Sequence, residues 1–162
     1  MDYCKVQLGC LLIVGYIAFI YYRECKRYHK RLSSSIFDEL MILGIVSIAL
    51  DGITAVTVNH LDAVNITLNR MLHLLFLLSI DTVIYSMFGY MIQMTDALPK
   101  SKVKRFVLNV PYLVNVLIGV LNIGNLEFRQ GQFTNYSMGI SAYTCFIMVG
   151  IYILFTLAVF FK

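Results

Sequence analysis

Two aspartates, Asp51 and Asp81, stand inside long apolar runs of this chain. An acidic side chain near the middle of a bilayer costs roughly 2.5–3.5 kcal/mol on insertion scales, so each must face protein or water and not lipid. The chemistry open to such a carboxyl is to bind a proton, an ion or a polar ligand, or to join helices by hydrogen bonds. The spacing around both is helical. Gly44, Ser47, Asp51 and Thr54 recur at 3, 4, 3 and gather small and polar groups on one face. Asp81 and Tyr85 form an i, i+4 pair beside a stripe of Thr82, Ser86, Gly89 and Gln93. The two polar faces are available to meet each other. One reading is a ligand, ion or proton site between the helices; the other is hydrogen bonding that only fixes the bundle. No Lys or Arg stands inside an apolar run to pair the acids, so a proton-coupled transport cycle has no specific signature. Asn115 and Asn122, with Gly119 between them, make a further inward stripe that reads first as helix packing.

A second group of polar residues, His60, Asp62, Arg70 and His73, lies where the second apolar run gives way to the third. These could sense pH or bind a metal, but their spacing matches no metal motif. Asn65-Ile66-Thr67 and Asn135-Tyr136-Ser137 fit the glycosylation pattern, which is too short to carry weight. Cys4, Cys10, Cys25 and Cys145 show neither CxxC spacing nor a nearby His, and read as apolar fillers or free thiols. There is no hydrolase constellation, Walker loop or HExxH. The expectation for this chain is therefore no catalytic residue, no metal and no cofactor.

The elements that must position these residues follow from composition. Of 162 residues, 59% are hydrophobic and 14% charged, against roughly 45–50% and about 25% in a soluble domain. With a mean hydropathy of +0.77, the apolar surplus exceeds what one aqueous core absorbs, and lipid must take the rest. Five apolar runs, at about 6–22, 36–58, 72–94, 106–126 and 138–161, are each long enough to cross about 30 Å as helix. They are continuously apolar and not alternating, which excludes a membrane barrel. The first run has no basic region ahead of it and no small-residue cleavage site behind it, so it reads as a retained span. Pro111, inside the fourth, should bend it.

Orientation follows from Lys and Arg. Arg23, Lys26, Arg27, Lys30, Arg31, Lys100, Lys102, Lys104, Arg105 and Lys162 fall on one side, and Lys5, Arg70 and Arg129 on the other. Ten against three, alternating with the runs, places the N-terminus outside and the C-terminus in the cytoplasm. The net charge of +4 is thus a topology signal. It forms no continuous surface for nucleic acid. The expected fold is all-α, a polytopic bundle of five transmembrane helices in a multi-pass cell-membrane protein, with the lipid bilayer as its first partner.

The stretch DGITAVTVNHLDAVNITLNRMLHLLFLLSIDTVIYSMFGYMI, then LPKSK and later TNYSMGISAYTCFIM, resembles the N-terminal membrane region of bacterial cyclic-di-GMP signalling proteins. There a multi-span input region precedes a cytoplasmic GGDEF diguanylate cyclase domain, sometimes with an EAL phosphodiesterase domain. The resemblance runs from Phe37 to Phe161 and rests on the order of Asp51, Asn59, His60, Asn69, His73, Asp81, Tyr136, Gly139 and Tyr143. Histidine kinases of related bacteria carry similar input regions. The resemblance implies a sensory region at a bacterial plasma membrane, a small-molecule signal, and a homodimer formed through the output domain. No GGDEF, EAL or kinase sequence lies within the chain, so the output domain is expected downstream of Lys162. The alternative expectations are a small transporter using Asp51 and Asp81, and a membrane scaffold acting through helix contacts.

Overall fold

The computed structural model describes residues 4–27, 35–132 and 134–161. Lys30, Arg31 and Lys162 of the charge count lie outside the described residues. The elements are α1 (Lys5–Arg27), α2 (Ser35–Val58), α3 (Ile66–Met94), α4 (Lys102–Leu121), β1 (Glu127–Arg129), β2 (Tyr136–Met138) and α5 (Ile140–Phe160). All five helices are long and apolar enough to cross a membrane. With backbone groups satisfied inside each helix, the chain is an all-α, multi-pass membrane protein.

The helix ends depart from the apolar runs for local reasons. α3 begins at Ile66, ahead of Leu72, because the Asn65 side chain accepts from the Thr67 backbone N–H at 2.8 Å and caps the first turn. The Asn-Ile-Thr pattern is thus spent on a helix cap. At its far end Asp96 adopts a left-handed conformation, φ 49°. Ala97 N–H reaches the Ile92 carbonyl at 3.1 Å and Asp96 N–H the Gln93 carbonyl at 3.5 Å. This double closure satisfies carbonyls that the helix end would orphan.

α4 stops at Leu121, short of residue 126. The Asn122 side-chain amide donates to the Ile118 carbonyl at 3.0 Å, and a 3-10 turn over Ile123–Asn125 follows. The chain then forms an antiparallel hairpin pairing Glu127 with Met138, Phe128 with Ser137 and Arg129 with Tyr136. Three-residue strands carry too little periodicity to be read from sequence. Gly139, at φ 145°, joins the hairpin to α5, and a Cβ there would lie 2.9 Å from the Asn125 carbonyl oxygen. Only glycine fits.

α3 is the centre of the bundle. It packs on α2, α4 and α5; α4 packs on α5, and α1 docks against α2. Its inner face carries Asn69, His73, Leu77, Asp81, Phe88 and Ile92. Two apolar clusters form there, Leu77 with Leu126, Ala142 and Cys145, and Phe88 with Ile92, Met148 and Tyr152. α1 buries Ala18 alone among its described residues and leaves Val6 and Leu12 75% exposed, a surface suited to lipid. Its last turns are tied down where Tyr21 donates to Asp38 at 2.8 Å.

Candidate functional site

Polar side chains enter the bundle at three levels along α3. At the hairpin end, Thr57 donates to Asn69 Oδ1 at 2.8 Å across α2 and α3, and Asn69 is fully buried. Asn59 donates through Nδ2 to Thr134 at 2.8 Å and accepts from Asn135 N–H at 3.0 Å, while Asn135 Nδ2 donates to the Val58 carbonyl at 3.0 Å. Arg70 Nε holds the Leu126 carbonyl at 3.0 Å. These bonds stitch the hairpin onto the ends of α2 and α3, and they satisfy backbone groups that would otherwise be orphaned. His60 is exposed and its Nδ1 donates to the Val56 carbonyl at 2.8 Å, on the last turn of α2. His73, one turn beyond Asn69, is buried under Phe128 with ring centroids 5.1 Å apart. Its Nε2 has no hydrogen-bond partner among the described residues. His60 and His73 therefore serve different surroundings and make no common site.

The middle level is the pair Asp81 and Asn115. Asp81 is 0% exposed and Asn115 5%, and Asn115 Nδ2 donates to Asp81 Oδ2 across α3 and α4. α5 brings Cys145, whose thiol lies beside the carboxyl and 3.8 Å from the Leu77 carbonyl. Asp81 Oδ1 and Asn115 Oδ1 are both buried without a hydrogen-bond partner among the described residues. The pair lies between the two apolar clusters. Asn115 also lines a groove of about 170 Å³ between α4 and α5, with Pro111, Thr144 and Ile151.

The third level is a tyrosine cluster around the proline of α4. Tyr152 of α5, fully buried, donates to the Leu108 carbonyl at 2.7 Å and accepts from the Tyr112 backbone N–H at 3.3 Å. Leu108 and Tyr112 are an i, i+4 pair, so the phenol oxygen bridges one rung of the α4 ladder. Pro111 stands beside that rung, and its ring lacks an N–H and crowds the preceding turn. Tyr112 stacks on Tyr85 of α3 with centroids 4.5 Å apart and its hydroxyl meets Thr82 Oγ1 at 3.0 Å. Tyr85 donates to Asn109 Oδ1 at 3.1 Å. Beside this cluster is a cleft of about 330 Å³, with Glu39, Arg105 and Asn109 among its lining residues.

The sequence leaves the polar faces of α2 and α3 available to meet each other. Asp51 and Asp81 do not meet, because α2 turns Asp51 toward Gln7 of α1 while α3 turns Asp81 toward α4 and α5. α2 and α3 are joined instead through Ser79, which stands outside the α3 stripes and donates to Ser47 of the α2 stripe at 3.1 Å. Thr54 is buried and bonds back to the Asp51 carbonyl at 3.0 Å. Asn69, Tyr112 and Tyr152 escaped the sequence reading as partners. For Asn69 there was a signal, since 69, 73, 77, 81 and 85 follow one another at i+4 on α3. For Tyr152 there was none, because nothing in a sequence says which phenol faces a proline in another helix. Among the described residues no group of three or more His, Cys, Asp or Glu could hold a metal ion. No family model, curated protein or solved structure matches this chain.

Proposed function

We propose that this chain is the sensory input region of a bacterial membrane signalling protein, of the kind that precedes a GGDEF diguanylate cyclase domain. The observation that carries the reading is the polar interior shared by α3, α4 and α5, from the Asp81–Asn115 pair to the Tyr152 bridge. On this reading the bundle has two arrangements, which a signal at one level biases and the helix ends report. α5 carries both Cys145 and Tyr152, and it is the element that leads onward to the output. The N-terminus outside and the C-terminus in the cytoplasm follow from the Lys and Arg bias. A histidine-kinase output would use the same input device. The alternative is a small transporter using Asp51 and Asp81, two acids that face different helices.

The reading frame supplies the test. Continuation of the coding sequence past codon 162 into a GGDEF domain is the expected result; a stop codon at that place overturns the proposal. Reporter fusions test the orientation, with a C-terminal fluorescent protein folding in the cytoplasm and a C-terminal alkaline phosphatase staying inactive. The reverse pattern contradicts the assigned topology.

A further inference from the structure

We infer that Asp81 and Asn115 form a proton-binding site at the centre of the bundle, with the proton carried on the Asp81 carboxyl and shared with the Asn115 amide. Donors and acceptors at the pair do not balance if the acid is ionised. An ionised carboxylate only accepts, and an amide offers one oxygen that only accepts. Asn115 Nδ2 serves Asp81 Oδ2, which leaves Asp81 Oδ1 and Asn115 Oδ1 buried without a hydrogen-bond partner among the described residues. Turning the amide over does not help. It would place Asn115 Oδ1 against Asp81 Oδ2, two acceptors that again need a hydrogen between them. With the amide turned over, a proton on Asp81 Oδ2 supplies that hydrogen; as placed, Asn115 Nδ2 already serves Oδ2 and the proton belongs on Oδ1.

Burial favours the neutral acid over a bare anion, although both groups against the carboxyl can donate to it. The groups against the Asp81 carboxyl are Cys145 from α5 and Asn115 from α4. On α3 itself Tyr85 lies one turn away and bonds to Asn109, and His73 lies two turns away under Phe128. α2 approaches α3 nearby through Ser47 and Ser79. No cation is among these groups, and a buried carboxylate without one costs several kcal/mol. A sodium ion would need more oxygen ligands than the two unpartnered atoms supply, whereas a proton needs one or two. Binding forms one O–H bond on Asp81 and breaks none in the protein. Its place is one helical turn from the Tyr85–Tyr112 stack, so occupancy changes the charge beside the Tyr152 bridge. That last consequence rests on the input-region reading; the binding of the proton does not.

The test is infrared spectroscopy of the whole chain in phosphatidylcholine nanodiscs in neutral buffer. A protonated-carboxyl stretching band is expected in the wild type and in Asp51→Asn, its loss in Asp81→Asn, and no change when choline replaces sodium. Equal bands in wild type and Asp81→Asn overturn the inference, as does a band that grows only when sodium is withdrawn. If Asp81→Asn fails to fold by circular dichroism, Asn115→Leu decides, because it keeps the acid and removes its partner. The band then moves to a new frequency, and an unmoved band overturns the shared site. Proton flux into vesicles that needs Asp81 would leave the site standing and sink the input-region reading.

Discussion

Asp81 sits where neither lipid nor bulk water can solvate it, so its neighbours decide whether the bundle tolerates it. Removing one partner of a buried hydrogen bond costs about 1–3 kcal/mol, because the remaining group stays desolvated. Asn115→Leu should therefore lower stability by about that amount in reversible detergent unfolding. Asp81→Asn keeps the size and the polarity and should cost less than Asn115→Leu. A larger loss from Asp81→Asn would mean that the carboxyl itself, and not the pairing, holds the helices. The sequence made Asp81 and Asn115 legible as inward-facing residues, since a carboxyl and an amide inside apolar runs must avoid lipid. Their mutual contact was not legible. Which face of α3 meets α4 and which face of α2 meets α1 depends on helix rotation, and the polar stripes on α2 and α3 were equally compatible with facing each other.

At the scale of elements, the α4–α5 contact is held by a phenol oxygen bridging a rung beside a proline. Tyr152→Phe removes the bonds of the phenol to the Leu108 carbonyl and the Tyr112 N–H together. It should cost about 1–3 kcal/mol and speed hydrogen exchange at the Tyr112 amide. Pro111→Ala in that background closes the turn and should recover part of the loss. Additive effects of the two changes would show that the phenol and the proline act independently. The hairpin join offers a separate check. Gly139→Ala places a Cβ 2.9 Å from the Asn125 carbonyl oxygen at a φ of 145°, and should cost about 1–3 kcal/mol by backbone strain. Wild-type stability in that variant would mean that the hairpin is free to move aside. The five helices were legible because continuous apolar runs of about 20 residues have few alternatives in a bilayer. Their ends were not, because a cap by Asn65 or Asn122 is a local event that hydropathy does not record.

At the scale of the molecule, α3 is surrounded by α2, α4 and α5 while α1 stands outside on α2. Changes at the α3 interior therefore reach α5 without passing through α1. Under the proposed function, the state of the Asp81 level sets an output beyond α5. Cyclic-di-GMP measured in cells expressing the chain with the proposed GGDEF continuation tests this, with wild type compared against Asp81→Asn at equal amounts in the membrane. A several-fold difference in cyclic-di-GMP between the two is expected. Equal cyclic-di-GMP levels in both would contradict it.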